Sequence, residues 1–326
     1  MRILIICTIL LLGIGSGYYL SLLNRKTFPI EYGISFNNFH ANSLGLDWKE
    51  VYETMIKDLH PKYIRISATW KEMEAQDGVF DFQDIDWQMD MAAQYGVKVI
   101  LVVGQKAPRW PECHIPDWVG KDTDAHEDLL RYVRTTVTRY KDHPALDLWQ
   151  VENEPFIRFQ FGECQNYDSG FIHDEIAMVK EIDPTHSTIV TDSGEMGLWW
   201  GAVHTGDYFG TTLYRIVKTN GGRTFTYDWL PAIAYRLKAV LTGVKPGRFF
   251  ISELQAEPWF TNTNPTNTPI EEQEKTMNPE RLKRHIEYAK HIGAQRAYLW
   301  GVEWWYFMKK EHGDERYWEI VKDVLK

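Results

Sequence analysis

The feature that most limits what this chain can become is an eightfold alternation. Apolar or β-branched runs of strand length recur at Glu31–Ser35, Tyr63–Ser67, Lys98–Val103, Leu146–Asn153, Thr188–Thr191, Tyr208–Leu213, Arg248–Ser252 and Arg296–Trp300. Each is followed by a stretch with helical periodicity: Asp47–Leu59, Asp84–Tyr95, Asp124–Tyr140, Phe171–Ile182, Gly194–His204, Trp229–Leu241, Pro279–His291 and Asp314–Leu325. The fifth has Gly197 and Gly201 inside it and is the weakest helix former of the set. Strand and helix in alternation imply parallel strands joined by helical crossovers. Eight such units in about 300 residues predict an α/β fold of one closed (β/α)8 barrel.

The connections make the two ends of that barrel unequal. Those entering strands are short and built from breakers: His60-Pro61, Tyr95-Gly96, His143-Pro144, Asp183-Pro184, Lys245-Pro246-Gly247 and Ile292-Gly293. Those leaving strands are long: Gly104–Lys121, Phe156–Gly170, Tyr214–Asp228 and Pro258–Met277. Barrel enzymes place their sites at the carboxyl ends of the strands, so the elaborated loops predict a site there.

Ahead of the first strand, Ile3 to Leu23 is almost entirely apolar, with Arg2 before it and Arg25 and Lys26 after it. That length suits a bilayer-spanning helix, while Gly13, Gly15, Ser16 and Gly17 would also allow an export signal. The expectation is a membrane anchor or signal over residues 1–26 and a single barrel domain over 27–326. Positive residues on both flanks leave the orientation open. A net charge of -9 and a pI near 5.7 argue against a nucleic-acid surface and against strong attraction to anionic lipid heads.

Cys7 lies in the apolar segment, leaving Cys113 and Cys164 for the domain, with no CxxC or Cys/His cluster of zinc spacing. No metal or cofactor is expected. In a barrel both cysteines fall in loops above neighbouring strands, so a Cys113–Cys164 disulfide is expected. It would put the domain outside the reducing cytoplasm.

Two stretches spend a charge at a strand end. Trp149-Gln150-Val151-Glu152-Asn153-Glu154-Pro155 and Phe249-Phe250-Ile251-Ser252-Glu253 each begin as apolar strand and bring a carboxylate to the rim. Pro155 biases Glu154 toward extended geometry at the last strand position. Two carboxylates at one rim suit glycoside cleavage, in which one protonates the leaving oxygen and the other attacks or activates water.

With these motifs the chain resembles a retaining glycoside hydrolase of clan A, over nearly the whole domain from Tyr32 to Trp305. That barrel group includes β-galactosidases, β-xylosidases, cellulases and mannanases. The resemblance implies Glu154 as acid/base, following Asn153 at the end of strand four, and Glu253 as nucleophile at the end of strand seven. Asn153 would bond the sugar hydroxyl beside the anomeric carbon. Arg65 matches the strand-two arginine near the nucleophile, where its cation favours the ionised carboxylate. Tyr214 matches the strand-six tyrosine that hydrogen-bonds the nucleophile, although Thr212 stands where many members carry His. Trp300 matches the tryptophan flooring the sugar subsite.

Further candidates come from the aromatic content, 14 Trp, 17 Tyr and 15 Phe, much of it in loops where flat faces suit sugars. Trp110, Trp118, Trp259 and Trp304 are candidate stacking platforms, and Glu257 and Glu303 candidate substrate contacts. Glu152 reads as a buried structural acid. The implied activity is double displacement on a β-linked oligo- or polysaccharide. The rival reading is a membrane-tethered carbohydrate-binding barrel that has lost catalysis. Substrate choice and oligomeric state lie in loop and surface shape, which the motifs do not encode.

Overall fold

The computed structural model describes residues 22–120, 124–157, 162–164, 167–219, 221–261 and 263–326. Most of the expected anchor, residues 1–21, lies outside them. Among the described residues no helix is long and apolar enough to cross a membrane.

Eight parallel strands close into a barrel in sequential order: β1 (Glu31–Ser35), β2 (Tyr63–Ser67), β3 (Lys98–Val103), β4 (Leu146–Val151), β5 (Ser187–Asp192), β6 (Tyr208–Leu213), β7 (Phe249–Gln255) and β8 (Arg296–Trp300). The outer ring consists of α1 (Trp48–Thr54), α2 (Gln83–Gln94), α3 (Ala125–Tyr140), α4 (Ile172–Ile182), α5 (Trp200–Thr205), α6 (Ala232–Thr242), α7 (Pro279–Ala289) and α8 (Arg316–Leu325). A two-stranded hairpin, Ile216–Lys218 with Thr224–Thr226, decorates the loop after β6. The chain is a (β/α)8 barrel, as the alternation predicts.

Alternation along each strand builds the barrel interior in layers. The lower layer is apolar: Tyr63, Ile100, Leu148, Ile189, Phe250 and Tyr298 form one cluster, with Tyr208 packed against it. The remaining strand, β1, contributes Gly33, where an added Cβ would stand 3.0 Å from the Tyr298 ring. Two residues further up the same strands are Ser35, Arg65, Val102, Gln150, Thr191, Gly210, Ser252 and Trp300, most of them polar. The polar site therefore rests on an apolar floor that excludes water from below.

Among the segments whose bounds differ from expectation, three differ for a visible reason. Strand β4 ends at Val151 rather than Asn153, because Glu152 enters the left-handed region (φ 61°). Strand β7 runs on to Gln255 past an irregularity: Thr211 pairs with Ile251 but Thr212 pairs with Glu253. Ser252 is the extra residue, and this bulge turns Glu253 inward although strict alternation would face it outward. The fifth helix begins only at Trp200, since Asp192 accepts the backbone N–H groups of Ser193 (2.8 Å) and Trp199 (2.8 Å) and ties residues 193–199 into a loop. A Cβ at Gly197 would stand 2.1 Å from the Asp192 carboxylate, which explains the glycine there.

Candidate active site

Arg65 organises the top of the barrel. An arginine in the middle of a buried strand must find acceptors for its whole fork. Here Nε donates to Gln150 Oε1 (2.8 Å), Nη2 to Asn153 Oδ1 (2.9 Å), and Nη1 to Glu253 Oε1 (3.1 Å) and the Ser252 carbonyl (3.4 Å). The other oxygen of Glu253 accepts the Tyr214 hydroxyl at 2.9 Å. Tyr214, one residue past β6, is set by its own N–H on Glu195 (3.1 Å) and by an edge contact with Trp259. Both oxygens of Glu253 are thus fixed by donors, and its orientation is determined before any ligand arrives.

Glu154 reaches the rim differently from the sequence expectation. It lies beyond the strand with φ 47°, left-handed rather than extended. Pro155 disfavours only the right-handed helical region, and backbone anchors select the rest. The N–H of Glu152 donates to the Val103 carbonyl (2.9 Å), that of Asn153 to the Lys106 carbonyl (2.8 Å) and that of Glu154 to Thr191 Oγ1 (2.9 Å). The Glu154 carboxyl accepts from Thr212 Oγ1 at 3.3 Å, so the threonine found in place of histidine contacts this acid. Burial pushes the Glu154 carboxyl up to about 8; the negative charges of Glu253, Glu112 and Asp192 act in the same direction, and Lys106 opposes them.

Glu152 is buried and accepts the N–H groups of Gln105 (2.7 Å) and Lys106 (2.8 Å). Burial raises it to about 7 against those two bonds. It fastens the loop after β3 to the end of β4.

That loop supplies a group sequence reasoning missed. Glu112 accepts from Asn153 Nδ2 at 3.4 Å and is pushed up to about 7, first by burial and also by the charge of Glu253, against the pull of Lys106. Its neighbour Cys113 is disulfide-bonded to Cys164, joining the loops after β3 and β4, and the Glu163 N–H donates to the Pro111 carbonyl at 2.9 Å. Proximity to Cys113 was the only sequence signal for Glu112.

Trp300 lies at the top of β8, but its face is taken. The Arg109 guanidinium stands 4.1 Å from the ring centroid. Arg109 pairs with both oxygens of Glu257, and its Nη2 also donates to Glu303 (2.9 Å), whose other oxygen accepts the Asn37 N–H (2.6 Å). His40, Glu257 and Glu303 have ligand atoms within 4.8 Å of one another, close enough to share a metal ion, and the Arg109 cation bridges the two carboxylates of that group. A small pocket at this end of the barrel is lined by Ser35, Asn37, Arg65, Arg109, Trp300 and Glu303 among others.

The remaining aromatic expectations divide. Trp304 is fully buried, donates to Gln273 (2.7 Å) and packs on Tyr317, so it is a core residue and not a stacking platform. The helix Val302–His312 turns it away from the cleft. Trp118 donates to the Glu74 carbonyl (2.9 Å) and props a loop, while Trp110 stands exposed.

Comparison with known proteins adds sequence relatives to this geometry. The family model for Glycosyl hydrolase family 10 matches residues 26–174, a span that contains Glu154 and stops before Glu253. The β-galactosidase LacZ of Heyndrickxia coagulans is 27% identical over 164 residues, covering 43% of this chain and 24% of that protein. Mannan endo-1,4-beta-mannosidase 1 of Solanum lycopersicum is 24% identical over 196 residues, 50% of this chain and 49% of that one. Among solved structures, the β-galactosidase of Rahnella sp. R3 shares the fold with a TM-score of 0.59 at 15% identity, covering 93% of this chain and 56% of that chain. The matches thus span between about a quarter and about half of these relatives. The chain is similar to the clan A glycoside hydrolases, and the similarity spreads over more than one family of that clan.

Proposed function

We propose that this chain is an O-glycosyl hydrolase that cleaves β-glycosidic bonds with retention, with Glu154 as acid/base and Glu253 as nucleophile. One observation carries the reading: two carboxyls at one rim sit in opposite environments. Glu253 is held by a cation and a hydroxyl on its two oxygens, whereas burial, together with the Glu253, Glu112 and Asp192 charges, pushes the Glu154 carboxyl up to about 8. Acid and base roles follow from such a split.

In the proposed cycle, Glu154 donates its proton to the glycosidic oxygen as Glu253 attacks the anomeric carbon, forming a glycosyl ester and releasing the aglycone. With the ester formed, the Glu253 charge no longer raises the pKa of Glu154, which turns from acid to base. It then takes a proton from water, and the hydroxide adds to the anomeric carbon and expels Glu253. In this reading Asn153 holds the neighbouring hydroxyl, and its bond from Arg65 supports that role by fixing its orientation. The names of the sequence relatives point to β-galactosides or β-mannans as the substrate class. The Cys113–Cys164 bond supports a domain that works outside the reducing cytoplasm, tethered or exported by residues 1–26.

The test is hydrolysis by the full chain on β-galactosides, β-mannans and aryl β-glycosides, with Glu253→Gln in parallel. Product from the wild type and none from the variant supports the assignment. Sugar binding by a folded wild type without product would return the non-catalytic barrel.

A further inference from the structure

One flank of the barrel is apolar where solvent should be. The three most exposed large apolar side chains among the described residues are Leu241 (78%), Val240 (76%) and Trp229 (68%). All lie on α6 or in the turn leading into it. Leu237, one turn before Leu241, is also exposed, and Ile233 one turn earlier is partly so. Residues spaced by three and four form a single stripe along a helix. On a helix that covers a barrel, this stripe is the face turned away from the core.

The stripe is widened from both sides. The segment made of the loop 193–199 and α5 lies alongside, since Lys238 donates to the Gly194 carbonyl (2.9 Å) and stands 4.3 Å from the centre of the Trp199 ring. The exposed Met196, Leu198 and Trp200 belong to that segment. On the other side, the Ile233 N–H donates to Asn24 Oδ1 (3.2 Å), and Arg236 donates to the Leu23 and Lys26 carbonyls. Leu22, next to Leu23 and exposed, belongs to the apolar run that begins at Ile3. Leu23, the last residue of the most apolar stretch of sequence, thus touches the same helix that carries the most exposed apolar side chains.

We propose that the α5–α6 flank rests on a lipid bilayer, with Leu237, Val240 and Leu241 in the acyl boundary and Trp200 and Trp229 at the headgroup level. Apolar burial drives the contact, and tryptophan suits the interface. Charge is not the cause, because the chain is acidic overall. The docking requires no anionic lipid. Because α6 runs along the barrel wall between β6 and β7, this contact lays the barrel axis along the surface and turns the carboxyl ends of the strands sideways. The proposal stands independently of the hydrolase reading.

The test uses the full chain reconstituted in phosphatidylcholine vesicles with brominated acyl chains, which quench tryptophan fluorescence by contact. Residues 1–26 contain no tryptophan, so all quenching reports the domain. The expected result is that Trp200→Phe with Trp229→Phe removes more than half of the quenching, whereas Trp110→Phe, at another exposed tryptophan, removes none. Leu237→Glu with Leu241→Glu should reduce quenching to a similar extent while the chain still floats with the vesicles. Quenching that is absent, or that survives these changes, overturns the proposal. So does a concentration-dependent dimer in detergent that Leu237→Glu with Leu241→Glu abolishes, which would assign the flank to a second copy.

Discussion

The sharpest perturbation of the proposed chemistry is Glu154→Gln, because it removes one proton and little else. The amide oxygen can still accept from Thr212, and the main-chain bond to Thr191 is untouched. General acid assistance contributes roughly 10²- to 10⁴-fold, or about 3–5 kcal/mol of barrier. That full loss falls on substrates whose leaving oxygen needs a proton, such as sugars and alkyl glycosides. A nitrophenolate leaves without one, so the first step on a nitrophenyl glycoside should slow by less than about tenfold. The assay is kcat/KM across leaving groups in wild type and variant.

The pH profile supplies the sign. Glu154 acts protonated and its pKa is raised to about 8, so wild-type kcat/KM should hold below that value and fall as pH rises through it. The variant should lose this alkaline limb. An equal loss on both leaving groups, or an unchanged alkaline limb, would refute the role of Glu154.

Three other outcomes follow from particular contacts. Tyr214→Phe removes one donor to Glu253 and keeps the ring against Trp259; a hydrogen bond to a charged group contributes roughly 1.5–3 kcal/mol, so kcat/KM should fall up to roughly 10- to 150-fold with unchanged circular dichroism. Gly104→Ala places a Cβ 2.6 Å from Glu152 Oε1 at φ 125°, displacing a buried carboxylate from its two N–H donors, and should cost roughly 3–5 kcal/mol and lower Tm by roughly 5–8 °C. Replacing Cys113 and Cys164 by Ser opens a link between residues 51 apart and should cost up to roughly 4 kcal/mol in denaturant titration, with reduction of the wild type giving the same shift.

The barrel was legible because its strands are short, apolar and bracketed by breakers; β1, β2, β3, β6 and β8 begin and end where the pattern places them. Arg65 was legible for a related reason, since a charge inside so apolar a strand needs a partner across the barrel. What the sequence hid depends on contacts distant in the chain. The left-handed turn at Glu154 is selected by Thr191 and Lys106, and the bulge at Ser252 becomes visible only against the pairing partners on β6. Arg109 occupies the face of Trp300 because Glu257, in the loop after β7, and Glu303, in the helix Val302–His312, converge on it. Trp304 misled because a tryptophan just past a strand end reads alike whether its helix turns it to the cleft or to the core.

The most direct test of the central claim is the configuration of the first-formed product. Proton NMR during hydrolysis of an active β-glycoside, recorded before mutarotation, should show the β-anomer first, as double displacement through Glu253 requires. Initial appearance of the α-anomer would contradict the account, because a single inversion leaves no glycosyl ester on Glu253.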